Sequence, residues 1–518
     1  MTVTAAEQYL LELINRARLD PAAEAARFGI ALNQGLAAGT IGTATQQVLA
    51  HDSQLELSAQ RHSDWMLAAD VFSHTGSGGS TATERMRAAG FEFSGSWRSG
   101  ENLAISGTTG SLNLAAAITQ HYDGLFRSAG HRANTLQSGF AEIGVAQVEG
   151  RFSQSGNTFN ASILTENFAR SGTDVFVTGV AYRDADGNRF YGIGEGRADI
   201  WVAADGPRVT TAAAGGYRSA VNADATTEVS VGTGTTTLAS LVLDMSRGNV
   251  KLDVVTNSAG QYSLDLSGSA TLVSGIATAR LLGSADLTLT GSGAANRLTG
   301  NAGANVLGDG GGAGADVLTG LAGNDAYVIR NVGTVIVEAA GQGSADRVLA
   351  ALSYRLAADD HIEILQTTSL AGTAAISLTG NGLAQQIFGN AGANALRGGG
   401  GADRLTGGGG ADRFVFAAMA DSLAGTTSRD TITDMVRGLD RIDLQHLDAA
   451  TLTAGLQDVR YIGTAGFSGT GTASAGQLRW GATTGGVLVE ADLTGDGRAD
   501  MQILLTGITA LAATDFIF

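Results

Sequence analysis

The first apolar pattern along the chain has the period of an α-helix. Leu10, Leu13 and Ile14 fall on one helical face, while charged residues lie between them. Thr4 and Glu7, three residues apart, match a capping box, in which each side chain accepts a hydrogen bond from the other residue's backbone N–H. The sequence therefore predicts an amphipathic helix that begins near residue 5. A cleavable secretory signal would lack these interspersed charges, so we expect no N-terminal signal peptide.

The pattern changes to alternation of apolar and polar residues between positions 171 and 290. Short segments such as DVFVTGVAY, TEVSVG and NVKLDVVTN alternate in this way, and turn residues separate them. Alternation with a period of two is typical of half-buried β-strands. This stretch therefore predicts a β-rich linker module, most simply a small β-sandwich.

A nine-residue period organises the C-terminal half. Units of the type Gly-Gly-x-Gly-x-Asp-x-apolar-x, such as GGGGADRLT, occur in two blocks, at residues 291–328 and 380–415. The apolar eighth residue, for example Leu405 or Phe414, points inward from a short strand, and glycines permit the tight turns. A flexible glycine-rich linker is the alternative, but it would not keep Asp and Leu in fixed phase. We therefore predict a parallel β-roll over residues 291–415.

The sixth position of each unit carries an oxygen ligand. Two units complete one turn of the roll, so alternate units stack above one another and neighbouring turns can hold an ion between them. Carboxylates and glycine carbonyls form an all-oxygen shell, which suits Ca²⁺ better than Zn²⁺. The predicted calcium ligands of the roll are Asn305, Asp316, Asp325, Asn394, Asp403 and Asp412.

Two further acidic turns lie outside the repeats. The first has the acid spacing of an EF-hand loop, but its sixth position is Arg189 instead of glycine and its flanks resemble strands. It predicts a calcium-stabilised turn, with a plain surface hairpin as the alternative. The second contains Gly495 and Gly497 and is either a calcium site or ordinary turn chemistry. The candidate ligands are Asp184, Asp186, Asn188 and Glu195 in the first turn, and Asp492, Asp496 and Asp500 in the second.

Composition and charge narrow the range of functions. The 518 residues include 75 glycines, 2 prolines and no cysteine, which excludes collagen and disulfide-stabilised scaffolds. The net charge is −17, and no basic cluster is present that could neutralise a row of phosphates. Nucleic acid is therefore not an expected partner, whereas divalent cations are. No uncharged apolar run reaches the roughly 18 residues that a membrane-spanning helix needs, so we expect no transmembrane segment.

The repeats resemble the calcium-binding repeats of the haemolysin-type, or repeats-in-toxin (RTX), family. Behind them, DTITDMVRGLDRIDL, EADLTGDGRADMQILLTG and the terminal Asp515-Phe516-Ile517-Phe518 are similar to the C-terminal domain of the serralysins. An acidic residue followed by three apolar residues at the terminus matches the export signal of that family. The resemblance implies type I secretion, with the type I apparatus as a partner and an extracellular destination. We assign residues 416–518 to this secretion domain.

The N-terminal part resembles a different family. The segments LINRARLDP, LSAQRHSDWM, FSHTG, GENLA, SAGHRANTL and FAEIGVA are similar to the cysteine-free bacterial branch of the CAP superfamily (SCP/PR-1-like). This resemblance covers residues 1–170 and implies an α-β-α sandwich with a central antiparallel sheet. The His-Glu-x-x-His spacing of a zinc peptidase is absent from the sequence, which excludes a serralysin peptidase head.

In CAP proteins two histidines and two acids line a cleft that can hold a divalent metal. His74, Glu101 and His131 match three of these positions. Two imidazoles and a carboxylate would suit Zn²⁺ with an open position for water or a ligand. The alternative is a polar knot of hydrogen bonds with only a structural role. The fourth position departs from the family, and the candidates for it are Asp123, His121 and, at a greater distance, Glu142.

These observations predict a secreted, calcium-binding multidomain protein. Its predicted segments are 1–170 (CAP domain), 171–290 (linker module), 291–415 (β-roll) and 416–518 (secretion domain). The CAP cleft would bind a divalent metal or an extracellular ligand or surface that the sequence does not identify. The alternatives are a CAP-domain hydrolase and a structural, acidic cell-surface or matrix protein. Catalysis has little support, because the sequence has no cysteine nucleophile and no recognisable serine elbow.

Overall fold

The computed structural model describes residues 3–222, 225–451 and 454–518. Most of the secondary structure is β, with a few helices near the N-terminus, which confirms the coarse fold prediction. The chain forms two compact units. The N-terminal unit comprises Met1–Ser292 and Asn296–Gly303, and the C-terminal unit comprises Gly293–Ala295 and Ala304–Phe518.

The N-terminal unit contains all of the described α-helices. They are α1 (Ala5–Leu19), α2 (Pro21–Arg27), α3 (Ser53–Ala68), α4 (Ala82–Ala88), α5 (Leu114–Arg127) and α6 (Ala129–Thr135), with a 3₁₀ turn at Ser77–Gly79. Its strands are β1 (Ala50–His51), β2 (Arg98–Thr108), β3 (Glu142–Gln154), β4 (Asn157–Arg170), β5 (Val175–Arg183), β6 (Ile200–Ala204), β7 (Val209–Thr210), β8 (Gly216–Val221), β9 (Thr226–Thr233), β10 (Thr236–Asp244), β11 (Val250–Thr256), β12 (Tyr262–Leu266), β13 (Ala270–Gly275), β14 (Thr278–Leu281), β15 (Thr288–Thr290) and β16 (Arg297–Thr299).

The C-terminal unit consists almost entirely of short strands. They are β17 (Val306–Gly308), β18 (Val317–Thr319), β19 (Ala326–Ile329), β20 (Val335–Val337), β21 (Arg347–Ala350), β22 (Tyr354–Arg355), β23 (Ile364–Thr367), β24 (Ser377–Thr379), β25 (Gln386–Phe388), β26 (Ala395–Arg397), β27 (Arg404–Thr406), β28 (Arg413–Val415), β29 (Asp430–Ile432), β30 (Arg441–Asp443), β31 (Arg460–Gly463), β32 (Gln477–Thr483), β33 (Gly486–Asp492), β34 (Met501–Thr506) and β35 (Phe516–Ile517). Short 3₁₀ turns occur at Met419–Asp421, Thr472–Ser474 and Ala513–Asp515.

Helix α1 begins where the sequence predicts. The Glu7 N–H donates to Thr4 Oγ1 (3.2 Å), and the Thr4 N–H donates to Glu7 Oε2 (2.8 Å), which completes the capping box. Leu10 and Ile14 on the apolar face of the helix are fully buried. The predicted amphipathic helix is therefore confirmed.

The helices surround a four-stranded sheet in the order β1-β3-β4-β2. Strands β2, β3 and β4 are antiparallel neighbours, and β1 adds in parallel to β3. On one face, Ile14 of α1 and Phe126 of α5 belong to the same buried cluster as Phe168 of β4. On the other face, Met66 of α3 packs in a cluster with Ile163 of β4. Because alternate residues of β4 point to opposite faces, both faces of the sheet are covered by helices.

The strands that follow belong to the same compact unit. Strand β5 pairs with β8 and β11, and β6, β9, β10 and β13 form a second run of antiparallel neighbours. Arg218 of β8 donates to Asp52 Oδ2 and Glu142 Oε1, both at 2.7 Å. The Asn249 side-chain amide donates to the carbonyls of Val48 (3.0 Å) and Ala141 (2.7 Å). These bonds attach the β-rich segment to the helical segment of the N-terminal unit.

In the C-terminal unit the chain builds two long runs of parallel pairing. One run is β17-β19-β21-β23-β25-β27-β29, and the other is β22-β24-β26-β28-β30-β35. Strands β25, β27 and β29 each point one apolar residue inward, and these residues, Ile387, Leu405 and Ile432, are in register and fully buried. This arrangement is consistent with the predicted β-roll.

The end of the chain completes these two runs. Strands β33 and β34 are antiparallel, and β34 adds in parallel to β29. Strand β35 adds in parallel to β30, where Phe516 is in register with Ile442 and is only 6% exposed. The terminal apolar residues that resemble an export signal are therefore part of the folded unit.

Ile387, Leu405 and Ile432 form a stacked apolar column, so a cavity in it should strongly lower the free energy of unfolding. We expect Leu405→Ala to lower the free energy of unfolding of the C-terminal unit by about 2–5 kcal/mol, because the deletion leaves a hole between Ile387 and Ile432. Urea unfolding of the full chain in saturating Ca²⁺, monitored by circular dichroism, measures this loss of unfolding free energy. Leu370→Ala is the matched control, because Leu370 is 55% exposed. Equal losses for the two variants would contradict the stacked column.

Candidate metal centres

A ladder of carboxylates runs along the first parallel sheet of the C-terminal unit. Asp403 directly precedes β27, and its Oδ1 accepts the backbone N–H of Gln385 (2.6 Å). The N–H of Asp403 in turn donates to Oδ1 of Asp430 (2.9 Å). Each carboxylate thus links its own turn to the neighbouring turn of the roll, and Asp403 and Asp430 are both buried.

The same arrangement is present beside the second sheet. The Asn394 N–H donates to Asp412 Oδ1 (2.8 Å), and the Asp412 N–H donates to Asp440 Oδ1 (2.9 Å). Asn394, Asp412 and Asp440 all directly precede a strand and are all buried. The structure therefore places the predicted residues Asn394 and Asp412 in contact, as their spacing implies.

The second oxygen of three of these carboxylates has no hydrogen-bond partner. Oδ2 of Asp403, of Asp412 and of Asp430 is buried and unpaired. Burial raises the pKa of Asp403 to about 7 and that of Asp412 to about 6. Burial, together with the nearby Asp403 charge, raises the pKa of Asp430 to about 9. A cation or a proton is therefore needed to neutralise these oxygens.

Glycines make room for the unpaired oxygens. A Cβ atom on Gly398 would collide with Asp403 Oδ2, and one on Gly407 would collide with Asp412 Oδ2. The next residue, Gly399, has φ +96°, a conformation that side chains rarely adopt. The repeat glycines thus allow carboxylate oxygens to approach the backbone of the turn, which is what an all-oxygen cation shell requires.

The first ladder continues through the stretch between the two repeat blocks. The Asn305 N–H donates to Asp325 Oδ1 (2.6 Å), the Asp325 N–H to Asp346 Oδ1 (2.7 Å), and the Asp346 N–H to Glu363 Oε2 (2.8 Å). Asp316 is also fully buried, directly before β18. Four acids of the ladders were not among the predicted calcium ligands, although each shares an Asp/Glu-x-apolar pattern with Asp403. They are Asp346, Glu363, Asp430 and Asp440.

The acidic turn after β5 brings its carboxylates together. Oxygens of Asp184, Asp186 and Glu195 lie within 4.8 Å of one another. Glu195 also accepts the N–H groups of two residues of the turn, at 2.7 and 2.8 Å, and the Asn188 side chain donates to Asp186 Oδ2 (2.7 Å). Arg189, at the position where an EF-hand has glycine, adopts φ +57°. The turn therefore has the backbone bend and the oxygen donors of a cation site.

The acidic turn between β33 and β34 has different bonding. Both oxygens of Asp492 accept backbone N–H groups, from Gly495 (2.7 Å) and Gly497 (2.9 Å). Asp500 Oδ2 accepts two further backbone N–H groups, at 2.8 and 2.9 Å, and Asp496 Oδ1 accepts that of Arg498 (2.9 Å). These hydrogen bonds hold the turn through its own backbone N–H groups.

In the helical part of the N-terminal unit, His74 and Glu101 lie side by side. His74 Nδ1 is 2.8 Å from Glu101 Oε1, and Arg85 donates to Glu101 Oε2 (2.5 Å). Arg85 also donates to the backbone carbonyls of His74 (3.1 Å) and Ser80 (2.8 Å). On α6, His131 Nδ1 is 2.9 Å from Ser128 Oγ, and burial followed by the nearby His74 lowers the pKa of His131.

The candidates for the fourth cleft position have other neighbours. His121 Nε2 is 2.9 Å from Ser162 Oγ, and burial lowers the pKa of His121 to about 4. Glu142 pairs with Arg218, and burial raises the pKa of Glu142 to about 7. Asp123 is an exposed residue of α5, where burial and the charge of Glu24 raise its pKa.

The cleft residues do not fit a zinc site in this arrangement. Both Glu101 oxygens already have partners, and His74, Glu101 and His131 are not among the described clusters whose ligand atoms lie within 4.8 Å of one another. Within the described residues those clusters are the turn of Asp184 and a second group at Asp325. The hydrogen-bonded knot is the alternative that this geometry favours.

Comparison with protein families assigns both ends of the chain. Residues 11–165 match the cysteine-rich secretory protein family (CAP), and residues 302–518 match the C-terminal domain of the M10 peptidases of the serralysin type. Residues 288–307 match the RTX calcium-binding nonapeptide repeat. No helix in the described part of the chain has the length and apolarity to cross a membrane.

Two solved structures are similar to part of the chain. No curated protein matches it. One similar solved structure is an extracellular protein containing an SCP domain from Bacillus anthracis, with 25% identity and a TM-score of 0.18 over 24% of this chain and 35% of that one. Another is an outer surface protein from Borrelia burgdorferi, with 18% identity and a TM-score of 0.17 over 24% of this chain and 78% of that one.

The chain spans about a third of the length of the Bacillus anthracis protein. The family matches agree with the order of motifs along the sequence, from the CAP segments to the nonapeptide repeats and the acidic-apolar terminus. The chain is therefore a fusion of a CAP domain with RTX calcium-binding repeats and a serralysin C-terminal domain.

Proposed function

We propose that this protein is a type I secretion substrate whose C-terminal unit folds on calcium after export and carries a ligand-binding CAP head. The observation that supports it most directly is the set of buried, unpaired carboxylate oxygens on Asp403, Asp412 and Asp430. Buried negative charge without a partner is costly, and a hard divalent cation is the natural counter-charge for oxygen ligands in this setting.

The buried carboxylates of the roll would make its folding depend on the calcium concentration on each side of the membrane. Where Ca²⁺ is scarce, stacked carboxylates repel one another and lose their hydration on folding, which favours an unfolded chain suited to passage through an export channel. Where Ca²⁺ is abundant, an ion that binds only the folded roll stabilises it by mass action. Calcium sites of extracellular modules have dissociation constants of about 10⁻⁴–10⁻³ M, so such a roll would fill outside the cell and not inside it.

The acidic turn of Asp184 extends the proposal to the N-terminal unit. Oxygens of its three carboxylates lie within 4.8 Å of one another, and each carboxylate also accepts a backbone N–H group of the turn. We assign this turn a structural calcium ion that fixes the segment between β5 and β6. We make no such assignment for the turn of Asp492 and Asp500, because its carboxylates are not among the clusters of the described residues whose ligand atoms lie within 4.8 Å of one another.

For the CAP head we propose binding of an extracellular ligand or partner instead of hydrolysis. Glu101 bridges Arg85 and His74, so it fixes the loop that carries His74 and is not available as a free proton acceptor. The His74 side chain nevertheless remains 60% exposed, so it can present its imidazole to a bound molecule. We also propose that the head is an α-β-α sandwich and that the linker module is a β-sandwich.

The calcium proposal predicts a charge-dependent response to Ca²⁺. We expect Ca²⁺ to raise the melting temperature of the C-terminal unit, and Asp403→Asn to remove about 2–3 kcal/mol of that stabilisation, the amount that one site contributes at 100-fold excess over its Kd. Thermal melts of the full chain with Ca²⁺ and with chelator measure the difference. The exposed Asp458→Asn is the matched control. The same calcium response in wild type and Asp403→Asn would refute the role of the ladder.

The head proposal predicts that Glu101 stabilises the N-terminal unit. Glu101→Ala leaves the guanidinium of Arg85, whose side chain is 11% exposed, without its carboxylate partner. We expect a loss of about 1–3 kcal/mol in urea unfolding at saturating Ca²⁺, and little change for Glu149→Ala, which is exposed. Calorimetric titration with Zn²⁺ adds a separate criterion. Binding in a 1:1 ratio that disappears in His131→Ala would overturn the knot and restore the zinc site.

A further inference from the structure

Three buried acids meet at the interruption between the two repeat blocks. Carboxylate oxygens of Asp325, Glu338 and Asp346 lie within 4.8 Å of one another, and all three residues are buried. Asp325 belongs to the last unit of the first repeat block, whereas Glu338 and Asp346 lie in the stretch where the nine-residue period is lost. The cluster therefore lies at a point where the repeat pattern alone predicts no ligands beyond Asp325.

Strand pairing explains how Glu338 reaches this cluster. Strands β18 and β20 are in register, with Thr319 opposite Val337, so that Glu338 occupies the place that Gly320 has in the preceding turn. A Cβ atom on Gly320 would collide with Asp325 Oδ2 and with the Tyr327 hydroxyl, and would lie 2.6 Å from Glu338 Oε2. Three oxygens thus converge above one glycine, which leaves them room to face a common point.

A second observation points to a ligand. Glu338 is only 2% exposed, and its Oε1 has no hydrogen-bond partner, whereas its Oε2 accepts the Tyr327 hydroxyl. The charged groups that act most strongly on Glu338 are the acids Asp346, Asp325 and Glu363. A buried carboxylate oxygen that lies among other carboxylates and has no hydrogen-bond donor favours a counter-charge from outside the chain.

We infer that Asp325, Glu338 and Asp346 form a cation site of their own, distinct from the turns of the regular repeats. Its ligand is a hard divalent cation, Ca²⁺, held mainly by side-chain carboxylates in place of glycine carbonyls. Because calcium affinity rises with the number of charged ligands, this site binds more tightly than the turns of GGGGAD sequence. The inference rests on the proposed calcium-dependent folding and assigns the interrupted stretch a role as the anchor that fills first.

Terbium luminescence on the full chain tests the site. Tb³⁺ takes the same oxygen ligands as Ca²⁺ and emits when a neighbouring tyrosine is excited, and Tyr327 donates directly to Glu338. The chain is freed of calcium with chelator and titrated with Tb³⁺. We expect tyrosine-excited emission to rise with the first equivalent of metal, and added Ca²⁺ to reverse it.

Two variants distinguish loss of the metal ligand Glu338 from loss of Tyr327, the tyrosine whose excitation produces the Tb³⁺ emission. Glu338→Gln should weaken the first binding step about tenfold or more, because it removes one of three ligand charges. Tyr327→Phe should remove most of the emission while the metal still binds by calorimetry. The matched controls are Glu490→Gln, whose carboxylate pairs with Arg479 at 2.6 Å, and Tyr461→Phe. Both controls should behave as wild type.

The outcomes distinguish this inference from the broader proposal. If Glu338→Gln and Tyr327→Phe bind and emit as wild type does, while Asp403→Asn still loses calcium stabilisation, the roll binds calcium but the Glu338 site does not exist. If wild type binds no Tb³⁺ or Ca²⁺ at all, the proposed calcium-dependent folding fails as well. If Glu338→Gln does not fold, Tyr327→Phe alone decides, and retained emission in that variant overturns the assignment.

Discussion

The fold of the C-terminal unit depends on how its buried carboxylates are neutralised. Each ladder acid uses one oxygen to accept the N–H of the neighbouring turn, as Asp403 does for Gln385, and this bond aligns successive turns. In Asp403, Asp412 and Asp430 the other oxygen is buried and has no hydrogen-bond partner, whereas Asp440 Oδ2 accepts the N–H of Val436. The same residues that set the register of the roll therefore create a charge that the protein alone does not balance. In the proposed function a cation from the surroundings balances this charge and so links folding to the calcium concentration outside the chain.

Glycine residues in the turns and aliphatic residues in the strands both support the carboxylate ladders. Gly398 and Gly407 keep the turns open for carboxylate oxygens, while Leu405 and its neighbours in register fill the space between the sheets. The strands of the roll bury only one or two side chains each, so the apolar contribution of each turn is small. Under the proposed function, ion binding at the turns would therefore supply a large share of the stability of the unit. The N-terminal unit differs, because its helices bury both faces of a sheet and its polar cleft is held by the Arg85–Glu101 pair.

Many residues of the carboxylate ladders and of the cleft were predictable from residue spacing. The residues that were not predicted have physical reasons for it. Asp403 and Asp412 were found because a fixed nine-residue phase places them before inward-facing strands. Asp346 and Glu363 occupy the same ladder, but longer loops precede them and hide the period, although the Asp/Glu-x-apolar pattern persists. Glu338 could not be found from sequence, because its place beside Asp325 follows from the register of β18 and β20. In the head, His74 and Glu101 were predicted as neighbours, but the role of Arg85 was not, since its reach depends on how α4 packs.

Hydrogen exchange at the ladder amides tests the central claim most directly. The N–H groups of Gln385, Asn394, Asp403 and Asp412 each donate to a carboxylate of the next turn, so their exchange rates report whether the ladders are formed. The account predicts strong protection of these amides in Ca²⁺ and loss of that protection in chelator, while the amides of β3 and β4 in the N-terminal unit stay protected in both. Equal protection of the ladder amides with and without Ca²⁺ would contradict it, because the carboxylates would then be neutralised without a cation.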